Sequence, residues 1–400
     1  MLVYMDRTAR RSNAAPARRI VVVGDGIGGA ETALTLAAGL RDAAITLVSS
    51  SRTIPIQPGL AYVPFGTAPQ RLDIDVADLL PHGVHALEAV VDRVGIERRV
   101  VATSRGDVPF DVLVMAPGAD DRARTGRGLR TIDDALRIRL QLEDVARAAA
   151  AGELRRVRVV AQSRDEWTAP ACEFAMLVGA WMRSHQLDSQ VETSIATSGG
   201  CSFDWFGPDA RAAVEAAFRR SRVRLAAVGA TGRFDEFDGD VVVEFGSARA
   251  HVVPGLPGLG DDGWYAPSAD LEVAPGVFVV GDAIDLPCRT AFATTWQARR
   301  VLHVLGGDVS ALGREIDGIP SHAVEYQMDL ADSVLVARIS HADRMSHPFH
   351  GHDAELSVVA GARPDKLAGL LLHDRVLRWR AKPADAPLAF RDELRRRTGA

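Results

Sequence analysis

Cysteine is scarce in this sequence of 400 residues, and long apolar runs and a strong excess of one charge are also missing. Cys172, Cys201 and Cys288 are far apart in the sequence and form neither a disulfide framework nor a zinc-binding spacing. No run of about 18 or more apolar residues is present, so no transmembrane helix is expected. The net charge of −5 gives no indication of nucleic-acid binding. These absences predict a protein of a reducing compartment, with the cytoplasm as the expected location.

The length suggests two or three domains with a substantial buried core. Residues 1–18 mix charged and small side chains without the apolar stretch of a signal peptide, so we expect a flexible arm there. The rest of the chain has an ordinary share of apolar and charged residues, which is typical of a globular protein.

A glycine-rich loop follows the first apolar segment of the chain. Ile20 to Val23 is a short β run, Gly24-Asp25-Gly26-Ile27-Gly28-Gly29 follows at once, and Ala30 to Leu40 favours a helix. A second β run, Ala44 to Val48, completes a βαβ unit typical of a parallel sheet. In this setting the glycines allow a tight turn, close approach to a diphosphate, and close helix packing. The pattern predicts dinucleotide binding at the helix N-terminus.

The residues after the second β run depart from the usual dinucleotide pattern. An acidic residue roughly 20 positions after the glycines usually binds the adenosine ribose. Here Ser49, Ser50 and Ser51 occupy that place, and Arg52 follows. A serine hydroxyl can bond a ribose hydroxyl without charge assistance. Equally, the serines can simply lead the chain out of the strand, and both interpretations stay open.

Three blocks together resemble the flavoproteins with two dinucleotide-binding domains, and within them the sulfide:quinone oxidoreductase and flavocytochrome c sulfide dehydrogenase group. The blocks are RIVVVGDGIGGAETAL, FDVLVMAPGA and GVFVVGDAIDLPCRTAFATTWQARR. The resemblance implies that the first block binds the diphosphate of FAD and that the second returns the chain to the FAD domain. It also implies that Asp282 bonds the ribityl chain. Arg289, Thr290 and Ala291 would lie near flavin N1 and O2, where a cation and a helix N-terminus stabilise the reduced flavin. The complete set of cofactor-binding residues expected is Gly24, Gly26, Ile27, Gly28, Gly29, Ser49, Ser50, Arg52, Val90, Pro117, Gly118, Gly281, Asp282, Arg289, Thr290 and Ala291.

The resemblance implies an α/β fold with two Rossmann-like domains of the glutathione-reductase type and a C-terminal α+β cap. The expected limits are 19–120 together with 240–319 for the FAD domain, 121–239 for a degenerate NAD-binding-like domain, and 320–400 for the cap.

The second α/β unit lacks the glycines that a nicotinamide dinucleotide requires. Its first strand, Val157 to Ala161, runs into Gln162 to Trp167, which contains no glycine. Bulky and acidic side chains there would obstruct and repel a diphosphate. The helix start Pro170 to Ala175 matches the Pro-Ala-x-Glu-Phe-Ala pattern of the sulfide:quinone group. NAD(P)H is therefore disfavoured as the reductant.

The redox cysteine pair of the sulfide-oxidising relatives also has no counterpart. Alignment of the motifs puts Trp167 at one cysteine position and Met328 or Asp329 near the other, and none of these can form a persulfide. Cys288 precedes Arg289 close to the expected flavin ring. Both residues, together with Trp167, are the candidate catalytic residues, although a packing role is favoured for Cys288. Cys172, on an apolar helix face, is expected in the core.

Two C-terminal features remain open. His341, His347, His350 and His352 match no zinc pattern, so a polar loop is favoured over a metal site or a proton relay, and no metal is expected. The segment from Lys366 to Arg380 is rich in leucine, carries Arg375, Arg378 and Arg380, and contains a tryptophan. Such a helix can lie on a membrane, where relatives reach quinone, or can simply pack on a core.

The sequence therefore predicts an FAD-dependent oxidoreductase that oxidises a small substrate directly at the flavin and passes electrons to an acceptor other than NAD(P), such as a quinone. The alternatives are an NADH:quinone-type or sulfide:quinone-type reductase and a non-catalytic flavin-binding protein. A peripheral position at the inner face of the membrane, through the C-terminal helix, is compatible with each.

Overall fold

The computed structural model describes most of the chain up to residue 308 and four short segments beyond it. The described residues are 17–81, 83–121, 126–161, 168–197, 207–227, 239–246, 248–285, 291–308, 315–316, 319–320, 324–339 and 354–360. Nearly all of the predicted N-terminal arm, the turn 162–167 and the C-terminal histidines and helix candidate lie outside them.

The described elements alternate strands and helices along most of the chain. The strands are β1 Arg18–Val23, β2 Ala43–Ser49, β3 Thr53–Pro55, β4 Asp73–Asp75, β5 Val84–Glu88, β6 Val91–Gly95, β7 Val100–Thr103, β8 Gly106–Pro109, β9 Val112–Met115, β10 Ala119–Asp121, β11 Arg155–Ala161, β12 Val191–Thr197, β13 Val223–Ala227, β14 Val241–Phe245, β15 Ala248–Ala250, β16 Glu272–Ala274, β17 Val277–Val279, β18 Glu315–Ile316, β19 Ile319–Pro320, β20 Val324–Asp329, β21 Ser333–Ile339 and β22 Ala354–Ala360. The α-helices are α1 Ile27–Gly39, α2 Val76–Leu79, α3 Ile132–Ala150, α4 Ala169–Ser184, α5 Gly207–Arg220 and α6 Ala291–Val304. Short 3-10 helices cover Gln57–Phe65, Pro69–Arg71 and Gly281–Ala283.

The first sheet has six strands in the order β16-β17-β9-β1-β2-β5. β1 pairs in parallel with both β2 and β9, and only the edge strand β16 is antiparallel. The buried apolar residues of β1 from Ile20 onward and the fully buried β9 explain this arrangement, because a central parallel strand has both faces covered. The helices α1 and α6 pack against each other beside this sheet.

The residues from Ala86 to Val94 belong to two strands in two different sheets. β5 extends the parallel sheet, whereas β6 forms an antiparallel sheet with β7 and β8. Val90 lies in the connection, where its N–H donates to the Ser104 hydroxyl at 3.0 Å, which ends the first strand.

The second sheet has four parallel strands in the order β13-β12-β11-β14. α4 packs on β11 and β12, and α3 contacts β11 and β14. α3 was not predicted from the sequence, although its buried residues lie on one face of the helix between charged positions. A signal was present in Thr131 and Asp134, which form a reciprocal capping box at its N-terminus.

Two short strands connect the two parallel sheets. β10 leaves the first sheet after β9, β15 returns after β14, and the two strands pair antiparallel. The C-terminal strands β20, β21 and β22 form an antiparallel sheet whose first strand contacts both α4 and α6. Met328 on β20 is fully buried in the core that also contains Phe174 of α4. The α/β fold class predicted from the sequence is confirmed.

Among the described residues, no helix has both the length and the apolar character needed to cross a membrane.

Candidate functional site

The glycine loop lies at the carboxyl end of β1, where the chain turns into α1. Gly24 is buried, and a Cβ added to it would lie 2.7 Å from the carbonyl oxygen of Ala116. A Cβ on Gly29 would lie 2.5 Å from the carbonyl oxygen of Gly24. These two glycines are therefore required by close backbone packing of the loop against the end of β9 and against itself.

Gly26 is in a different environment. It is the N-cap residue of α1, with φ −119° and ψ −170°, and a Cβ built on it would meet no atom within 4 Å. The backbone N–H groups of the first helical turn, beginning at Ile27 and Gly28, have no carbonyl partner within the helix. The loop thus presents N–H groups and the positive end of a helix dipole to open space, which is an arrangement that fits a diphosphate.

The turn after β9 forms one wall of this space. Ala116 is buried against Gly24 and Gly28, and Pro117 and Gly118 follow it with partial exposure. Gly118 has φ +72°, a left-handed conformation that favours glycine, and its carbonyl accepts a hydrogen bond from His251 N–H at 3.0 Å. The predicted residues Pro117 and Gly118 therefore lie beside the glycine loop.

The turn after β17 brings Asp282 to the same end of the sheet. Gly281 has φ +78°, and its N–H donates to Oε1 of Gln297 at 2.6 Å. Gln297 is on α6 and is only 1% exposed, so this hydrogen bond is shielded from water. Asp282 is exposed immediately after this fixed turn. Gln297 was not among the residues expected to form the site, because its partner is 16 positions away and nothing in the local sequence indicates the contact.

The N-terminal part of α6 joins the glycine loop to the Gly281 turn. Cγ2 of Thr294 is 3.6 Å from where a Cβ of Gly28 would stand, and its Oγ1 is 4.0 Å from that of Gly281. α6 begins at Ala291, so the first turns of two helices meet at one edge of the sheet. The structure therefore brings together the glycine loop, the turns at Gly118 and Gly281, and the start of α6.

The serines at the carboxyl end of β2 lie near Asp25, at the start of the glycine loop. The buried Ser49 hydroxyl donates to the carbonyl of Ser51 at 2.9 Å and so supports the turn. The carboxylate of Asp25 accepts hydrogen bonds from the backbone N–H and the hydroxyl of Ser50, each at 2.6 Å. Arg52 is exposed and donates to Glu88 at 3.0 Å, and Val90 is 54% exposed. Asp25 was missed as a site residue because it is one of the variable positions of the glycine motif.

The carboxyl ends of β11 and β14 in the second sheet are lined by aromatic rings. Phe245, the last residue of β14, lies 6.0 Å from Phe174 between ring centroids. Phe65 lies 5.7 Å from Phe174 and 6.3 Å from Trp181. Phe174 is fully buried, and Phe65, Trp181 and Phe245 pack against the same cluster, so these rings belong to the core beside the second sheet.

α4 also joins the region of the first sheet through a buried polar contact. The Tyr62 hydroxyl donates to Oε1 of Glu173 at 2.9 Å, and both side chains are buried. The preceding residue, Cys172, is fully buried within sulfur hydrogen-bonding distance of the Thr168 hydroxyl. Cys172 is therefore a core residue, as predicted.

An exposed ion pair closes the opposite, amino end of the first sheet. The Asp111 carboxylate accepts from the Arg19 guanidinium at 2.7 Å and from the Arg19 backbone N–H at 2.8 Å. These hydrogen bonds lower the pKa of Asp111 to about 2, and the bond from the guanidinium has a larger effect than the bond from the backbone N–H. This pair lies away from the glycine loop and is a structural contact.

Several predicted residues lie outside the described part of the chain. They are Trp167, Cys201, Cys288, Arg289, Thr290, the histidines from His341 to His352 and the segment from Lys366 to Arg380. Of Ala291, only the backbone at the start of α6 is described. Among the described residues, no group of three or more potential metal ligands is present.

Comparisons with known proteins support the fold. Residues 18–160 match the family model described as pyridine nucleotide-disulphide oxidoreductase. The search of curated proteins gave no match. The fold is similar to the sulfide:quinone oxidoreductase from the hyperthermophilic bacterium Aquifex aeolicus, with a TM-score of 0.75 at 16% identity over 95% of each chain.

Two further solved structures share the fold. NDH2 from Plasmodium falciparum in complex with NADH has a TM-score of 0.61 at 13% identity, over 92% of this chain and 96% of that one. Putidaredoxin reductase, in its covalent complex with putidaredoxin, has a TM-score of 0.58 at 16% identity, over 90% and 94%. The family match and the shared fold bear out the predictions of an oxidoreductase and of FAD as its cofactor.

Proposed function

We propose that this protein is an FAD-dependent oxidoreductase that oxidises a small substrate directly at the flavin and passes the electrons to an acceptor other than NAD(P). The observation that carries the proposal is the convergence of the α1 and α6 N-termini and the Gly281–Asp282 turn at one edge of the first sheet. A single bound dinucleotide could contact all three.

Each part of this edge has a distinct task toward FAD. The N–H groups after Gly26 would hold the diphosphate, and the side chain of Asp282 would accept hydrogen bonds from the ribityl hydroxyls. The N-terminus of α6, with Arg289 and Thr290 just before it, would favour negative charge at the pyrimidine end of the flavin. FAD, when bound, supplies the capacity to take up and release an electron pair.

The second sheet supports an acceptor other than NAD(P). The sequence from Gln162 to Trp167 contains no glycine for close approach of a diphosphate. The rings of Phe174 and Phe245 occupy the space beside the carboxyl ends of β11 and β14. A domain arranged in this way is suited to support the first domain rather than to bind a second nucleotide.

The lack of an accessible cysteine pair at the expected positions supports direct oxidation of the substrate at the flavin. Met328, close to one position where relatives carry a redox cysteine, is fully buried in an apolar core. Cys172 is also fully buried and is therefore inaccessible to a substrate. Cys288, with Arg289 beside it, and Trp167 remain the candidate residues for contact with the substrate.

A quinone is the acceptor class that we favour. The fold of this chain covers nearly the full length of a protein named as a sulfide:quinone oxidoreductase. The segment from Lys366 to Arg380 has the basic, leucine-rich composition of a helix that lies on a membrane surface. We therefore propose a peripheral contact with the inner face of the membrane, where a quinone would be reached.

Reduction of the purified protein under anaerobic conditions tests this function. We expect a yellow protein, with the flavin band at about 450 nm, that is bleached within seconds by its substrate and recovers its colour with a soluble quinone. NADH and NADPH should leave the band unchanged over the same time. Rapid bleaching by NADH would favour an NADH:quinone-type reductase, and bound flavin that reacts with no thiol, sulfide, amine or quinone would favour a non-catalytic protein. Failure to bind FAD would refute the proposal.

A further inference from the structure

We propose that Asp25, within the glycine loop, is the carboxylate that binds the adenosine ribose and selects dinucleotides whose 2′-hydroxyl is not phosphorylated. This inference rests on the proposed dinucleotide site, and it assigns a role to a residue that the glycine motif itself leaves variable.

The position of the Asp25 carboxylate carries the argument. In a βαβ dinucleotide site the diphosphate lies at the helix N-terminus and the adenosine ribose lies toward the end of the second strand. Asp25 is adjacent to Gly26, the N-cap of α1, and its two oxygens are each 2.6 Å from Ser50, which directly follows β2. The carboxylate therefore spans the interval in which the ribose would lie.

The neighbouring polar groups are already engaged in other contacts. The Ser49 hydroxyl donates to the carbonyl of Ser51, and Arg52 is held by Glu88 at the end of the next strand, β5. Asp25 is exposed, and each carboxylate oxygen can accept more than one hydrogen bond. Of the side chains described around the end of β2, Asp25 is thus the one that combines a negative charge with direct access to the glycine loop.

The arrangement also defines what Ser50 does. Its backbone N–H and hydroxyl both point to the same carboxylate, which fixes the orientation of the Asp25 side chain before any ligand binds. A fixed carboxylate accepts hydrogen bonds from the 2′- and 3′-hydroxyls with charge assistance. A 2′-phosphate would instead be repelled, since two negative groups would face each other in the same place.

The charge of Asp25 predicts the direction in which its substitution changes FAD affinity. The carboxylate lies within the loop that would hold the diphosphate, directly before Gly26, so it weakens dinucleotide binding unless a ribose contact compensates. Asp25→Asn preserves the contacts to Ser50, since an amide can accept from the N–H and donate to the hydroxyl. The substitution should therefore weaken FAD binding if Asp25 binds the ribose, and should strengthen it if Asp25 does not.

The experiment measures FAD affinity by titration of the apoprotein, for the wild type, Asp25→Asn and Asp42→Asn. Asp42 is an exposed acid in the turn before β2, at the opposite end of the strand, and controls for the change in net charge. The probes are FAD, its 2′-deoxyadenosine analogue and ADP-ribose. We expect Asp25→Asn to bind FAD about tenfold or more weakly, from the loss of charge-assisted hydrogen bonds, and Asp42→Asn to bind it as the wild type does.

The analogue makes the test independent of how well any variant folds. The wild type should bind the 2′-deoxy analogue about tenfold more weakly than FAD, and Asp25→Asn should show little further loss. Unchanged or tighter FAD binding by Asp25→Asn, or equal binding of both flavins by the wild type, would overturn the inference. If the wild type does not bind FAD, the proposed function fails. In that case, weaker binding of ADP-ribose by Asp25→Asn than by the wild type would still support the ribose contact. Equal binding of ADP-ribose by the two proteins would then overturn this inference as well as the proposed function.

Discussion

Gly26 and Gly29 belong to one motif, yet the same substitution should affect them in opposite ways. An alanine methyl at position 26 would enter open space, whereas one at position 29 would lie 2.5 Å from the carbonyl oxygen of Gly24. We therefore expect Gly26→Ala to fold normally and to lose FAD, and Gly29→Ala to lose stability.

The magnitudes follow from the local geometry. At position 29 the overlap is with backbone atoms, which cannot rotate away, so overpacking costs about 1–3 kcal/mol. The better helix propensity of alanine offsets this by no more than about 1 kcal/mol. At position 26, φ −119° is available to alanine, and replacing a glycine N-cap costs less than about 1 kcal/mol. A methyl in the path of the diphosphate should weaken FAD binding at least tenfold, or about 1.4 kcal/mol.

Urea unfolding of the two apoproteins and FAD titration of each provide the assay. We expect Gly29→Ala to have the lower free energy of unfolding as the apoprotein. Gly26→Ala should keep nearly the stability of the wild type and lose FAD affinity. If Gly26→Ala retained wild-type FAD affinity, or lost as much stability as Gly29→Ala, then the open space at Gly26 would not be the diphosphate site.

Three further predictions concern contacts around the site. Gln297→Leu removes the acceptor of a buried N–H and should weaken FAD binding about tenfold, as measured by apoprotein titration. Tyr62→Phe and Glu173→Leu should each lower the free energy of unfolding in urea by about 1–3 kcal/mol, and their effects should not add in the double variant, because both remove the same hydrogen bond. Asp111→Asn should destabilise the protein at neutral pH. Since Arg19 holds the pKa of Asp111 at about 2, below its unfolded value, the difference from wild type should shrink as the pH falls from about 5 toward 2. A difference that persists unchanged at low pH would contradict this cause.

The parts of the site that local sequence predicts are those governed by short-range backbone geometry. The run from Ile20 to Gly29 indicated a strand, a glycine loop and a helix, and the structure has all three, although β1 begins at Arg18 and α1 at Ile27. The contact that restricts position 29 is with Gly24, only five residues away. The Gly281 turn was likewise predictable, since its left-handed φ restricts the residue type.

The parts that local sequence did not predict depend on contacts between distant segments. The bond from Ser50 to Asp25 joins residues 25 positions apart, and that from Tyr62 to Glu173 joins residues 111 positions apart. The positions of Asp25 and Glu173 in the sequence do not indicate which residues they contact. The helix α3 was missed although its sequence carries a local signal, because its buried residues from Ala135 to Ala149 recur every three or four positions on one helical face.

The backbone alone does not decide whether the second parallel sheet binds a nucleotide. Both sheets consist of parallel strands connected by helices, so their topology does not distinguish a nucleotide site from a supporting domain. The side chains at the two ends differ: Gly26, with open space around it, follows β1, whereas Phe245 ends β14 with its ring 6.0 Å from that of Phe174. The buried hydrogen bond from Tyr62 to Glu173 anchors α4 to the segment that follows β3, which is a structural role that needs no ligand. We therefore base the proposal of a single dinucleotide per chain on these particular residues rather than on the fold.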